Sequence, residues 1–519
     1  MPPPVPEPAT VALASGSTAV FTPAAATARQ DGATLAQPGP ETLASARVQS
    51  AATTVAQAAA GGTLANAVAT VAGLPVPEQK AVFQNVPAAA IVNGLKTSPD
   101  PVARRVGAVL ETVAATGQPG FADVKQALKE AGTDPETART YLVMYQRVER
   151  EQRTQAFSGA LTELIRDPAA YDLFRRDGGP TAPPRLLRIS ASRTRGAGVA
   201  LRGIVSDSAG VAEARVNGRW VFIDENGQFR TSIPVDPGET KATLTIVDEN
   251  GNRTEQEIPI TGDGTPPAES APPKPRKIAL MIAVDTYQAP GIPKLGTPPA
   301  DVAAVGAALN DHLGYETRIL RNPGKMEIAA ALRALGREVG EQDKVIVYYA
   351  GHGYEIAETG TGYWLPADAG TDSARNWLSN NDIARFLSRM PAKHVMLVSD
   401  SCYSGAFTKE QKVDAAALRT LTKDEIRQRR SVMALSSGGD EPVADGEVNS
   451  PFAASLLSRV RTLPTDAEGY KLFLQVRDDV TREVPQTPQY GVVRTAGYDQ
   501  GGDYLLEVSP QKSTRPAVN

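Results

Sequence analysis

The chain has a single cysteine, Cys402, which excludes an intrachain disulfide and any zinc site built from several thiolates. Histidine is almost as scarce: with only His312, His352 and His394, a histidine-rich metal cluster is not expected. Aromatic residues make up 5% of the chain against 45 Gly and 41 Pro, a balance that points to long stretches with little to pack. Positive charge is not in excess. The net charge of -4 gives no general attraction to phosphate backbones or anionic lipid, so nucleic acid is not an expected partner. Long apolar runs are missing too, because the uncharged stretch 48–77 is built from Ala, Gly, Thr, Gln and Asn, too weakly apolar to favour a bilayer. No membrane span is expected. Met1 to Ala28 holds no Lys or Arg and no Leu-rich centre, so it does not read as a secretory signal and leans towards the cytoplasm.

What is present is a succession of differently patterned segments, as 519 residues exceed one hydrophobic core. Residues 1–75 carry five charged residues and one aromatic, Phe21, and are expected to be a mostly disordered leader with an Ala-rich fraying helix around 45–72. Residues 76–180 read as helical. Val102, Val106, Val109, Leu110 and Val113, then Phe121, Val124, Ala127 and Leu128, recur at helical spacing. Asp134-Pro135-Glu136 is a helix start ahead of Tyr141, Leu142, Tyr145 and Val148, and Phe157, Leu161, Leu164 and Ile165 mark another helix ending at Asp167-Pro168. Arg147, Glu149, Arg150, Glu151 and Arg153 read as a solvated helix face.

Beyond Gly178-Gly179-Pro180 and Pro183-Pro184 the period changes to alternation, and 185–262 read as all-β, with strands expected at 199–205, 214–216, 220–223, 229–235 and 242–247. Two Asp-Glu-Asn-Gly sequences, at 224–227 and 248–251, put Asn-Gly where tight hairpins need positive φ. This stretch is similar to bacterial immunoglobulin-like modules, a likeness that implies a β-sandwich used for spacing or adhesion and leans towards an exported or periplasmic location. A hairpin is a simpler reading of its acidic turns than a calcium loop, whose ligand spacing is missing. Residues 263–276 form a proline-stiffened linker.

Residues 277–509 alternate between strand and helix patterns. The runs 278–284, 345–349 and 394–398 are continuously apolar, as strands covered on both faces require, and amphipathic helices are expected at 300–313, 326–339, 379–388 and 452–460. Together they predict a mainly parallel sheet flanked by helices.

Two of these strands run into polar, glycine-flanked residues: Gly351-His352-Gly353 and Asp400-Ser401-Cys402-Tyr403-Ser404-Gly405. The carboxyl ends of parallel strands share one edge, so His352 and Cys402 are candidates to face each other. An adjacent imidazole favours the thiolate that attacks a carbonyl carbon, and the backbone amides of Gly353 and Cys402 are candidate oxyanion donors. Packing is the plain alternative for Cys402, and helix capping for Asp301 and Asp400. His312 and His394 read as ordinary surface or helix-end histidines.

With Tyr287 after the first strand, Leu295-Gly-Thr-Pro-Pro-Ala-Asp301, Asn449-Ser-Pro-Phe452, Gln486-Thr-Pro-Gln489 and Gly501-Gly-Asp-Tyr-Leu-Leu, these motifs resemble the caspase and metacaspase superfamily over roughly 277–509. The resemblance implies a cysteine endopeptidase of bacterial metacaspase type with His352 as general base and acid and Cys402 as nucleophile. It further implies that Asp301 and Asp400 line the pocket for the residue before the scissile bond. Two carboxylates there would bind Arg or Lys and disfavour Asp, so the expected partners are proteins or peptides cut after a basic residue. Ala350 and Ala283 depart from the family, which commonly has serine and glycine there. No metal is assigned; calcium activates many metacaspases, yet the scattered acids Asp414, Asp424 and Glu425 outline no site. Arg427-Gln-Arg429-Arg430 falls where the superfamily has a cleavable segment, so self-cleavage there is the matching expectation and a solvated loop its alternative. The alternative to a peptidase is a catalytically silent caspase-like interaction module, and an intact His and Cys pair favours the former.

Overall fold

The structure is a computed structural model that describes residues 40–61, 63–118, 120–167, 171–174, 183–193, 198–206, 211–223, 227–236, 238–248, 252–260, 275–356, 359–401, 421–438 and 448–509. The chain divides into two compact units, Met1–Ala46 and Arg47–Asn519. The first helix is α1 (Pro40–Ala60). It is followed by α2 (Leu64–Ala72), α3 (Val76–Phe83), α4 (Ala88–Lys96), α5 (Pro101–Thr116), α6 (Phe121–Glu130), α7 (Pro135–Ala156) and α8 (Ser158–Arg166). The stretch expected to be a leader is therefore helical from Pro40. Small side chains suffice there because Val55, Leu64, Val68 and Val71 are buried against the later helices.

Local chemistry sets the helix ends. The Asp100 carboxylate accepts from Val102 N at 2.9 Å ahead of Pro101, and Gly117 closes α5 at φ 69°. Asp134 caps α7 in the same way, accepting from Thr137 N at 3.0 Å ahead of Pro135. One face of α7 does not follow the sequence expectation: Glu149 and Arg153, read as solvated, are each 5% exposed. Helical periodicity reports which residues are polar and not which are covered: Arg153 shares a cavity with residues of the α/β unit, while Arg150 on the same helix stays exposed.

Strands β1 (Arg185–Arg193), β2 (Gly198–Ser206), β3 (Val211–Val216), β4 (Arg219–Trp220), β5 (Gln228–Pro234), β6 (Lys241–Asp248) and β7 (Arg253–Pro259) form two antiparallel sheets, ordered β1-β2-β5 and β4-β3-β6-β7. Both sheets contribute to one apolar core, including Val199, Leu201, Phe229 and Ile233 from one and Val216, Leu244, Ile246 and Ile258 from the other. Pairing at β4 ends at Trp220, short of the expected 220–223. The hairpin tips at 224–226 and 249–251 lie outside the described residues.

The rest of the chain is an α/β unit. Its strands are β8 (Lys277–Ala283), β9 (Glu316–Arg321), β10 (Lys344–Ala350), β14 (His394–Asp400), β15 (Ser431–Ser436) and β17 (Gln489–Val492), with a small side sheet of β11 (Gly353–Ile356), β12 (Thr361–Trp364) and β13 (Leu378–Ser379). A two-stranded pair, β16 (Ala467–Glu468) and β18 (Leu505–Leu506), closes the unit. The main sheet runs β17-β15-β14-β10-β8-β9, parallel throughout except for the antiparallel β17. Helices α9 (Pro298–Leu313), α10 (Lys325–Glu338), α11 (Asn380–Ser388), α12 (Lys423–Gln428), α13 (Pro451–Arg461) and α14 (Gly469–Glu483) complete it. Every residue of β10 and β14 is buried, as their unbroken apolar runs demand.

The helical region packs on both faces of this sheet. Leu110, Phe121 and Tyr145 belong to the same core as Met281, Val305, Met396 and Phe452, while Phe157, Ala160 and Leu164 join the opposite core with Tyr349, Trp364 and Trp377. Among the described residues, no helix is long and apolar enough to cross a membrane.

Candidate active site

Strands β10 and β14 are neighbours in register, Ala350 opposite Asp400, so the chain leaves both strands at one level of the sheet edge. His352 follows β10 by two residues and Gly353 opens β11. Cys402 stands two residues after Asp400 in the sequence and lies outside the described residues.

The histidine is held on every side. Its backbone N–H donates to the Tyr287 hydroxyl at 2.8 Å, and that hydroxyl donates to Val284 O at 3.1 Å. The Tyr349 hydroxyl donates to His352 O at 2.8 Å. The ring Nε2 lies 2.8 Å from Pro293 O. A carbonyl only accepts, so Nε2 carries the proton and the neutral imidazole keeps its lone pair on Nδ1. Burial first, and the positive charge of Arg153 second, hold the imidazole well below its ordinary pKa, which keeps it in the basic form at neutral pH.

One cavity is lined by His352, Thr297, Asp301, Asp400, Ser450 and Arg153, so it unites three of the residues singled out in the sequence. Asp301 sits in the first turn of α9, after Pro298 and Pro299. Its carboxylate accepts from Asn449 Nδ2 at 2.8 Å and from Ser450 N at 3.0 Å. Asp400, the last residue of β14, accepts from Ser450 Oγ at 2.5 Å and, at a long 3.4 Å, from the Tyr348 hydroxyl. Ser450 also caps α13, its hydroxyl accepting from Ala453 N at 2.9 Å ahead of Pro451. This one residue ties both carboxylates to a helix start. Burial, and after it the neighbouring Asp400, push the Asp301 carboxyl up to about 7. Two buried carboxyl groups lining one cavity resist double ionisation until a cation joins them.

Residues 276–496 match the caspase domain family of peptidases. This segment is a caspase-superfamily domain. Solved structures similar to it include a protein of Geobacter sulfurreducens, 16% identical over 44% of this chain and all of that one with a TM-score of 0.31. Another is caspase-1 of Spodoptera frugiperda, 12% identical over 45% of this chain and 94% of that one with a TM-score of 0.32. No curated protein matches the sequence.

Several residues of the caspase domain depart from expectation. The basic run is not a simple solvated loop: Arg427 lies in α12 with Asp424, Asp466 and Glu507 as ion partners, and Arg429 and Arg430 make the short link to β15. Arg430 is 6% exposed, its guanidinium donating to the carbonyls of Leu387, Met390, Ala392 and Ala496. His394 is no surface residue either, being 5% exposed at the start of β14, whereas His312 does lie at a helix end, with Nε2 2.8 Å from Leu463 O. Among the described residues, no three His, Cys, Asp or Glu side chains cluster as metal ligands would. Ser450 and Asn449 belonged to a quoted motif without a role, and the Ser-Pro pair before an apolar run was the signal for the cap. Arg153 gave no such signal.

Proposed function

We propose that the caspase domain is a cysteine endopeptidase of metacaspase type that cuts after Arg or Lys. The observation that carries this reading is the pair Asp301 and Asp400, two buried carboxyl groups lining the cavity that His352 also lines. A guanidinium or ammonium offers both carboxylates charge-assisted hydrogen bonds, while an aspartate side chain would add a third negative charge. The in-register ends of β10 and β14 support a meeting of His352 with Cys402.

In the proposed reaction the Cys402 thiol gives its proton to His352 Nδ1, and the sulfur adds to the carbonyl carbon of the scissile bond. The Gly353 and Cys402 amides receive the oxyanion. His352 then protonates the departing amine, a thioester remains on Cys402, and a water activated by the same imidazole releases the new carboxylate. The Nε2 bond to Pro293 O fixes the ring in the tautomer this sequence of transfers requires.

We assign the two antiparallel sheets at 185–262 to an immunoglobulin-like spacer and 76–180 to a helical region joined to the peptidase. The test is a set of peptides that differ only before the cut, carrying Arg, Lys, citrulline or Asp. Arg and Lys peptides are turned over and citrulline and Asp peptides are not, with all turnover lost in Cys402→Ala. Equal turnover of citrulline and Arg peptides, or turnover that survives Cys402→Ala, removes the reading.

A further inference from the structure

Trp364 ends β12 opposite Gly353, the first residue of β11, so it belongs to the hairpin that His352 leads into. The next residue ties that hairpin to the histidine directly, Leu365 N donating to His352 O at 3.0 Å. The Trp364 ring stacks on Tyr349 with 4.3 Å between centroids and 7° between planes. The Tyr349 hydroxyl in turn lies 2.8 Å from His352 O and 2.9 Å from Leu365 O. The polar edge of the same indole reaches the other strand: Nε1–H donates to Ser399 Oγ on β14 at 2.9 Å, and Ser399 Oγ lies 2.9 Å from Ser401 Oγ.

Trp364, Ser399 and Ser401 are all buried, so each polar hydrogen needs an acceptor. An indole N–H only donates, and with Ser399 accepting from it, the Ser399 hydrogen is satisfied by Ser401 Oγ. The relay thus runs from Trp364 through Ser399 to Ser401, the residue before Cys402. Alternation along a strand sends Asp400 to the other face, where Ser450 Oγ donates to it at 2.5 Å. The two faces are distinct, for Tyr348 belongs to one core and Tyr349 and Trp364 to the opposite one. The chain that leads to Cys402 is therefore pinned on both sides of the sheet, and Trp364 joins one of these pins to the segment that carries His352.

We propose that Trp364 is a positioning residue for the peptidase: its indole N–H, relayed by Ser399 to Ser401, holds the approach to Cys402 in register with His352. The inference rests on the cysteine peptidase reading of that pair. A nucleophile and its base must meet at hydrogen-bond range, and a displacement of about 1 Å costs on the order of 100-fold in rate. Because the relay lies on the face of β14 opposite Asp400, its loss falls on kcat and leaves KM alone.

The test uses the full chain as wild type, Trp364→Phe, Ser399→Ala and the double variant, which removes the indole donor and its acceptor together. Phenylalanine keeps a ring against Tyr349. KM and kcat are measured with an Arg peptide, and alkylation of Cys402 by iodoacetamide is followed against pH by peptide mapping. Each variant should lose about 10- to 100-fold in kcat at unchanged KM, and the double variant should lose no more than the worse single one, because all three cut the same relay. Alkylation should slow by about tenfold near pH 6.5, where a thiol needs its imidazole partner to ionise, and match wild type near pH 9.5. Loosened packing alone would instead expose Cys402 and quicken alkylation at every pH. A folded double variant with wild-type kcat, or a loss carried by KM, overturns the positioning role, while Cys402-dependent turnover by wild type still upholds the peptidase. If wild type cuts no peptide, the peptidase reading fails and alkylation judges the relay: slower labelling of the double variant near pH 6.5 supports it, and equal labelling overturns it.

Discussion

Phe157 and Trp377 meet at 90° with ring centroids 5.3 Å apart, joining the helical region to the caspase domain at a buried aromatic contact. Replacing Phe157 by Ala removes this contact and the matching one to Tyr354, with an expected cost of about 3–5 kcal/mol. The loss falls on the docking of α7 and α8 rather than on the sheet. Hydrogen exchange should therefore quicken in Ser158–Arg166 while β10 and β14 remain protected. Equal quickening of both would mean that the two bodies unfold as one.

The raised Asp301 carboxyl predicts a pH dependence of substrate binding. Below about 7 the empty pocket holds a proton on the carboxyl pair, and a basic side chain must displace it. KM for an Arg peptide should fall as pH rises from 5.5 to 7.5, by up to about tenfold per unit. Asp301→Asn should flatten that slope and lower kcat/KM by roughly 30- to 4,000-fold, the equivalent of about 2–5 kcal/mol. The stability effect has the opposite sense to that of a salt-bridged carboxylate. Between the ordinary carboxylate pKa and about 7 the folded chain binds more protons at Asp301 than the unfolded chain, so this group weakens the fold as pH rises.

His394 acts in the other direction. Burial, the first cause, lowers its pKa to about 4, with Nε2 3.1 Å from Arg427 O. Between pH 6.5 and about 4 the unfolded chain takes up the proton that the folded chain refuses, so stability is lost as pH falls through this window. The slope is at most about 1.4 kcal/mol per pH unit. Denaturant titrations of wild type and His394→Gln should differ in that slope and converge above pH 7; parallel curves would contradict the assignment.

Self-processing is predicted to spare Arg430. Its guanidinium serves four carbonyls and the next residue opens β15, so a cut there would require the edge of the sheet to unfold. Amino-terminal sequencing of fragments from the purified chain should find cuts after Lys409, Lys412 or Arg419, absent in Cys402→Ala. A fragment beginning at Ser431 would contradict this.

The α/β core was legible because its strands are covered on both faces: 278–284, 345–349 and 394–398 contain almost no polar residue, and each falls on a strand of the main sheet within a residue or two. His352 could be placed from its position at a strand end, whereas Asp301 and Asp400 were joined to it through the resemblance to the caspase and metacaspase superfamily. Strand β9 was not legible, since its Glu-Thr-Arg-Ile-Leu-Arg sequence is that of a half-exposed edge. Helices α1 and α2 fall on the stretch read as an Ala-rich fraying helix around 45–72, and that they are two helices with buried faces was not legible, because Ala and Val supply weak signals until tertiary packing buries them. The burial of Glu149 and Arg153 was hidden for a deeper reason. Charges at helical spacing describe a polar face, and only tertiary packing decides which of its residues meet water.

The central claim is tested most directly by a peptidyl acyloxymethyl ketone carrying Arg in the position before the cut, with an Asp-bearing analogue beside it, applied to the full chain. Peptide mapping by mass spectrometry should locate one adduct, on Cys402, from the Arg reagent, absent with the Asp reagent and abolished by His352→Ala. An unmodified Cys402, or faster labelling by the Asp reagent, would contradict the account.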